Sequence, residues 1–163
     1  LRKSGFRVKV DDGDKSPGFK FADCEVRGIP LRIEVGPKDI EAGHAVLVRR
    51  DTREKIQVSF EELAEETGKL LEQIQQDMYD RAKTFLEEHT SSATNMDELV
   101  DIVNTKRGFV KAMWCGCREC EDKLKEMSGI TSRCIPFEQE TISDTCVVCG
   151  KPATKMVYWG RAY

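Results

Sequence analysis

The chain lacks any long apolar run. None of its 163 residues belongs to a stretch approaching the roughly 20 consecutive apolar residues that cross a bilayer, so we expect no membrane partner. The first ten residues also lack the apolar core of a secretory signal. Charged residues make up 34% and hydrophobic residues 39% of the chain, which is typical of one globular domain or two small ones.

Groups for catalysis are scarce. The chain has only two histidines, His44 and His89, and they stand far apart in the sequence. No nucleophile elbow, phosphate-binding loop or dinucleotide fingerprint is present. We therefore predict no catalytic residue in this chain.

The chain also lacks a strong charge of one sign. Its net charge is −3, distributed as about +3 over residues 1–59, −9 over residues 60–102 and +3 over residues 103–163. Such a distribution excludes the global basic field of a non-specific DNA binder. A local basic surface in the first part remains compatible with RNA binding.

Cysteine, by contrast, is abundant. Four of the seven cysteines form two pairs, Cys115-x4-Cys120 and Cys146-x2-Cys149. Four thiolates suit a closed, tetrahedral, structural Zn²⁺ site, which has no open position for chemistry. Cys117 is an alternative ligand inside the first pair, and reduced, partly buried thiols are the alternative to a metal. The odd number of cysteines favours a reducing compartment over a disulfide framework.

Residues 1–59 predict an α/β sheet. Residues 1–5 predict a helix end followed by a glycine, and Ser16 with Pro17 predicts the start of a helix. The expected elements are a strand over 6–10, a helix over 17–27, a strand over 30–35, a helical turn over 38–42, and strands over 45–49 and 55–59 joined by a hairpin turn.

Residues 60–163 predict further alternating elements. Apolar residues recur at helical spacing over 60–88, with Thr67 and Gly68 as a candidate break. Residues 90–94 form a candidate linker, and Asn95 is the expected cap of the next helix. The remaining predictions are strands over 109–114, 132–137 and 155–159 and a helix over 118–127.

Four motifs together resemble one family. They are the segment Ser16-Pro-Gly-Phe-Lys-Phe21 continuing through Gly28-Ile-Pro-Leu-Arg-Ile-Glu-Val-Gly-Pro-Lys-Asp39, the valine-rich hairpin with Arg49-Arg-Asp-Thr52, the cysteine spacing, and the ending Gly160-Arg-Ala-Tyr163. This combination resembles prolyl-tRNA synthetases of the archaeal and eukaryote-like type over nearly the whole chain. The family often has Trp where this chain has Phe19 and Cys24.

The resemblance implies a fold in two parts. Residues 1–89 would be a class IIa anticodon-binding domain, an α/β mixed sheet flanked by helices with its opening strand missing. Residues 90–163 would be a small α/β zinc-binding domain. Because the chain starts at Leu1 inside this pattern, we expect a C-terminal piece of a larger cytoplasmic, homodimeric enzyme. The ATP-, Mg²⁺- and proline-binding catalytic domain would be a separate part, so the piece alone would not aminoacylate.

The resemblance also implies which residues act. The second and third anticodon bases of tRNA(Pro) are both guanine, whose edges offer acceptors to Arg or Lys and donors to Glu. By position in the matching segments, the anticodon candidates are Glu25, Arg32, Lys38, Arg49 and Lys55. The alternative for each is a solvated or salt-bridged surface charge. The terminal carboxylate of Tyr163 would support the active site of the parent's own catalytic domain.

Two other functions are alternatives. A free-standing module could bind protein or RNA through the same fold without a catalytic partner. A zinc-dependent hydrolase or deaminase would need an open metal site and a nearby His-x-Glu, and the sequence has neither.

Overall fold

A computed structural model describes residues 1–161 of the chain. The backbone forms two compact units, Leu1–Arg81 and a second that begins at Ala82, so the boundary falls inside one long helix. Each unit has its own sheet and its own helices, which confirms the predicted α/β class.

The first unit alternates short helices and strands. In chain order it contains a 3-10 helix (Arg2–Ser4), α1 (Pro17–Val26), β1 (Leu31–Glu34), α2 (Pro37–Ala42), β2 (His44–Arg49), β3 (Lys55–Ser59) and the start of α3 (Leu63–Glu88). As predicted, Ser16 caps α1: its hydroxyl accepts a hydrogen bond from the Phe19 N–H, and Pro17 occupies the first helical position.

The three strands form an antiparallel sheet in the order β1-β2-β3. Residues that lie opposite each other share a face, so strand alternation divides the sheet into two sides. One side carries the buried core residues Ala45, Leu47 and Val58, against which Leu63 and Leu70 of α3 pack. The other side, here called the polar face, carries Arg32, Glu34, Val46, Val48, Lys55 and Gln57.

The second unit has a four-stranded sheet. Its elements are β4 (Thr90–Ser92), α4 (Met96–Thr105), β5 (Phe109–Trp114), α5 (Arg118–Ser128), β6 (Ile130–Cys134) and β7 (Lys155–Arg161). The strand order is β4-β5-β7-β6, with β4 parallel to β5 and the other pairs antiparallel. Leu99 of α4, Leu124 of α5 and Trp159 of β7 are fully buried in its core. Asn95 caps α4 as predicted, because its side-chain oxygen accepts from the Glu98 N–H.

Two predictions for the first unit were wrong. Residues 6–10 are not a strand: within the described residues they pair with no other strand, and an unpaired strand is not stable in water. The helix over Leu63–Glu88 is not broken at Thr67 and Gly68. Thr67 is buried on the helix, and Gly68 costs the helix only about 1 kcal/mol relative to alanine, so neither residue ends it.

Two predictions for the second unit also need correction. Residues 90–94 are not a linker, because Thr90–Ser92 pairs with β5 as a parallel edge strand. Their polar side chains show no hydrophobic alternation, so the sequence does not predict this strand, which depends on main-chain pairing. The strand predicted over 132–137 instead spans Ile130–Cys134. Pro136 cannot donate to a ladder, which favours the earlier end.

Within residues 1–161, no helix combines the length and the apolar character that a membrane span requires.

Candidate functional site

The first cysteine pair lies where a strand turns into a helix. Cys115 directly follows β5, and Cys120 lies in the first turn of α5. Gly116 between them has a φ of 84°, a left-handed conformation that other residues adopt only with strain. The chain therefore reverses within a few residues and brings the Cys115 and Cys120 sulfurs to 3.7 Å.

The second pair forms a tight turn that is attached to the same strand. The Gly150 N–H donates to the Cys146 carbonyl at 2.9 Å, and the Cys146 N–H donates to the Lys151 carbonyl at 2.7 Å. The Val147 N–H donates to the Met113 carbonyl of β5 at 2.9 Å. These backbone bonds place the turn beside the end of β5, where Cys115 lies.

The four sulfurs converge as the sequence predicted. The Sγ atoms of Cys115, Cys120, Cys146 and Cys149 all lie within 4.8 Å of one another, and those of Cys115 and Cys149 are 3.8 Å apart. A tetrahedron with Zn–S bonds of about 2.3 Å has S···S edges of about 3.8 Å, so the spacing fits a four-thiolate metal site. Cys117 is outside this group; it is exposed, and its thiol donates to the Glu119 carboxylate.

The thiols of this cluster differ in how readily they ionise. Burial raises the pKa of Cys115 and of Cys120. Burial also acts to raise the pKa of Cys146, but hydrogen bonds from the backbone N–H groups of Cys149 and Val148 outweigh it and lower that pKa to about 7. Four thiols this close are costly to ionise together without a compensating positive charge, which a divalent metal supplies.

A second candidate site lies on the polar face of the first sheet. Arg32 donates from Nε and Nη2 to Oε1 of Glu34, at 3.0 and 2.8 Å, and Lys55 Nζ lies 3.3 Å from Oε2 of the same carboxylate. The Arg32 guanidinium also lies over the Phe21 ring of α1, 4.0 Å from its centre. Two cations are thus held beside each other on one carboxylate.

Glu25 and Lys38 differ in their contacts. Glu25 of α1 lies 3.9 Å from Arg32 Nη1 and 3.6 Å from Arg53 Nη2. Lys38 of α2 is exposed, and its side chain has no ion pair within residues 1–161. The structure therefore brings Glu25, Arg32 and Lys55 together and leaves Lys38 free in solvent.

Arg49 lies on the other side of the sheet. Its side chain is only 6% exposed and donates to both oxygens of Asp51 and to Asp77 of α3. The bonds to Asp51 and then Asp77 raise the pKa of Arg49 above its ordinary value. The sequence already indicates this side, because alternate residues of a strand share a face and Arg49 is in phase with the core residues Ala45 and Leu47.

Two residues at this site were not among the predicted anticodon residues. Glu34 holds both cations, and Phe21 lies against Arg32. Glu34 could have been identified because it alternates in phase with Arg32 along β1. The contact of Phe21 with Arg32 joins two different elements, which no local pattern reveals. The predicted role of the Tyr163 carboxylate lies outside the described residues.

Both parts of the chain match known protein families. Residues 1–70 match the family described as "Anticodon binding domain", and residues 96–163 match "Prolyl-tRNA synthetase, C-terminal".

Curated relatives of the chain belong to the same family as these matches. The chain is 60% identical over 163 residues to a "Proline--tRNA ligase" of Lachnospira eligens, covering 100% of this chain and 34% of the relative. It is 60% identical over 158 residues to that of Lachnoclostridium phytofermentans, covering 97% and 33%. With Clostridium novyi the identity is 57% over 157 residues, covering 96% and 33%. The chain thus spans about a third of the length of the curated relatives it matches.

Proposed function

Because this chain belongs to the prolyl-tRNA synthetase family, we propose that it recognises the anticodon of tRNA(Pro) for a proline--tRNA ligase and supports that enzyme's active site. The observation that carries the proposal is the polar face, where Arg32 and Lys55 are held by one carboxylate beside Glu25. Single-stranded RNA loops are read by such donors and acceptors once their bases are splayed out.

The chemistry of these groups matches guanine. Guanine accepts hydrogen bonds at O6 and N7, where Arg or Lys can donate, and its Watson–Crick edge donates to a carboxylate. We propose that Glu25, Arg32, Lys38 and Lys55 face the two anticodon guanines. For Arg49 the burial and the ion pairs support a different role, that of holding the β2–β3 hairpin against α3.

The metal we propose is Zn²⁺, held by Cys115, Cys120, Cys146 and Cys149. The sulfur spacing and the all-thiolate donor set support it over harder cations. A four-thiolate site is closed, so the ion would tie the end of β5, the start of α5 and the 146–149 turn together and take no part in the reaction.

Other parts of the proposal concern the parent enzyme. ATP, Mg²⁺ and proline would bind in the remaining two thirds of the parent's length, on the parent's own catalytic domain, in a cytoplasmic homodimer. We further propose that residues 1–89 act on the tRNA and that residues 90–163 form the zinc-binding domain, which would present the Tyr163 carboxylate to the active site. Unimpaired aminoacylation by the parent with a tag after Tyr163 would contradict that last step.

The test of anticodon recognition is a fluorescence titration of the chain with a proline anticodon stem-loop. The control is the same stem-loop with both anticodon guanines replaced by adenine. We expect each replacement to weaken binding by about 1 kcal/mol or more, because each removes base-edge hydrogen bonds. Equal affinity for the two stem-loops would contradict anticodon readout by this chain.

A further inference from the structure

One carboxylate on the polar face bridges two strands. Glu34 of β1 accepts from Arg32 on one oxygen, and its other oxygen pairs with Lys55 of β3. Arg32 and Lys55 lie at the same level of the sheet, separated by Val48 of β2. Glu34 and Arg32 are mostly buried, with side chains 19% and 15% exposed, whereas Lys55 is 59% exposed.

Within residues 1–161, three donors of Arg32 make no hydrogen bond, although the Glu25 carboxylate lies 3.9 Å from Nη1. A guanidinium has five N–H donors, and two of them, one on Nε and one on Nη2, are directed to Glu34. The remaining three donors are the two N–H groups of Nη1 and one N–H group of Nη2. Those two nitrogens form the edge that can donate two parallel bonds to guanine O6 and N7. Phe21 lies against the guanidinium at 4.0 Å and further restricts its orientation.

We propose that Glu34 is a positioning residue that makes the site selective for guanine, an inference that rests on the proposed anticodon recognition. It holds Arg32 and Lys55 in fixed directions, so that their free donors meet a base edge. It also cancels one of the two positive charges, which lowers the attraction of the site for any phosphate. Glu34 thus contributes selectivity through its two partners without touching the base.

Loss of this carboxylate should increase sequence-independent binding of RNA and decrease discrimination between bases. Two unrestrained cations would gain freedom to follow phosphates, and sequence-independent binding increases with each added phosphate contact. Discrimination between bases depends on fixed geometry and would fall. A residue that merely stabilised the fold would lower both together.

The test compares Glu34→Gln with Glu54→Gln in the 163-residue chain. Both variants remove one negative charge, but Glu54 is exposed in the β2–β3 turn and has no side-chain ion pair within residues 1–161. The probes are the proline anticodon stem-loop and its adenine-substituted form, each titrated at several salt concentrations. The thermal melt of each variant is recorded in parallel.

The wild type should prefer the guanine stem-loop by about 30-fold or more, because two bases are replaced and each costs about 1 kcal/mol or more. In Glu34→Gln we expect that ratio to fall to about threefold or less, while affinity for the adenine stem-loop rises and its salt dependence steepens. Glu54→Gln should keep the wild-type ratio. A Glu34→Gln chain that is folded and keeps the wild-type ratio overturns this inference and leaves anticodon recognition intact. A wild type without preference overturns both.

A second measurement needs no Glu34 variant. In the unmodified chain, the Arg32 Nε–H should exchange slowly with solvent in a ¹⁵N spectrum and should be shifted by the Phe21 ring, because it donates to Glu34 at 3.0 Å. Its signal is assigned by its loss in Arg32→Lys. Fast exchange of this proton would overturn the inference even if Glu34→Gln failed to fold.

Discussion

Arg49 of β2 donates from Nη2 to the Asp77 carboxylate of α3 at 2.5 Å, which links the hairpin to the helix that covers it. The same guanidinium donates from Nε and Nη2 to Asp51 at the hairpin turn. Arg81 of α3 also reaches Asp51, at 3.3 Å. One buried cation therefore holds the strand, the turn and the helix of the first unit together.

Arg49→Met should destabilise the first unit by about 3 kcal/mol, because it leaves Asp51, itself only 7% exposed, without its main partner. Hydrogen exchange of the β2 amides measures this, since both tryptophans lie in the second unit and report on that unit. The matched control is Arg53→Met, whose side chain is 79% exposed and should change stability by less than about 1 kcal/mol. Similar losses in the two variants would contradict the structural role of Arg49.

The same ion pairs predict an acid sensitivity of the first unit. Hydrogen bonds from Arg49 lower the pKa of Asp51 and of Asp77 below the ordinary aspartate value of 3.8. Their contribution is therefore fully present above that value and is lost as the pH falls through the lowered pKa of the folded state. β2 amide protection should fall more steeply below that value in the wild type than in Arg49→Met. Parallel pH profiles would contradict the assignment.

Gly108→Ala should destabilise the second unit by about 3 kcal/mol or more. A Cβ at this position would lie 1.9 Å from the His89 carbonyl oxygen, and Gly108 has a φ of 129°. The carbonyl cannot withdraw freely, because it accepts from the Phe109 N–H at 2.8 Å. Denaturant unfolding followed by the fluorescence of buried Trp159 measures the loss.

The control for this change is Gly129→Ala. Gly129 is also left-handed, with a φ of 65°, but its nearest neighbour to a Cβ is the flexible Arg161 side chain at 3.9 Å. We expect a cost of about 1–2 kcal/mol, from backbone strain alone. Equal costs at the two glycines would show that the close approach to His89 does not matter.

The proposed zinc site predicts unequal effects of two nearby cysteines. Cys120→Ser should weaken zinc binding by more than about 100-fold, because it removes a buried ligand. Cys117→Ser should keep one bound zinc per chain, because Cys117 is exposed and outside the cluster. Metal analysis after dialysis against a chelator measures both, and the reverse ranking would assign Cys117 as the ligand.

Chelation of the wild type should destabilise the second unit, because the ion joins segments far apart in the chain. Trp114 packs against the cluster, so its fluorescence should change when the metal leaves. The β2 amides of the first unit serve as an internal control and should keep their protection. Unchanged stability of the second unit after metal removal would contradict a structural ion.

Arg32→Lys should cost about 1–3 kcal/mol of preference for the guanine stem-loop, because a lysine cannot donate two parallel bonds from a planar fork. The control is Arg27→Lys, whose side chain is 58% exposed and is paired with Asp23. It should leave the preference unchanged. Equal preference in the wild type and Arg32→Lys would remove Arg32 from the base-reading residues.

Local signals in the sequence predicted much of this molecule. Ser16 with Pro17 and Asn95 marked two helix starts, because caps and first-turn residues act within one helical turn. Strand alternation placed Arg32 on the polar side of β1, and the cysteine spacing identified the four sulfurs that converge. These features depend on residues close in sequence, and the resemblance to one family joined them into a function.

Only the tertiary structure decided the features that depend on residues distant in sequence. Strand alternation indicates the side of the sheet on which Arg49 lies, but its bond to Asp77, 28 residues away, depends on how α3 packs. The bridge between Arg32 and Lys55 requires β1 and β3 to flank β2. Residues 90–92 form a strand because β5 offers them hydrogen bonds, and residues 6–10 do not because no described strand pairs with them. The sequence determines which groups the chain can bury or pair, but the partner of each group is determined only when the strands and helices pack together.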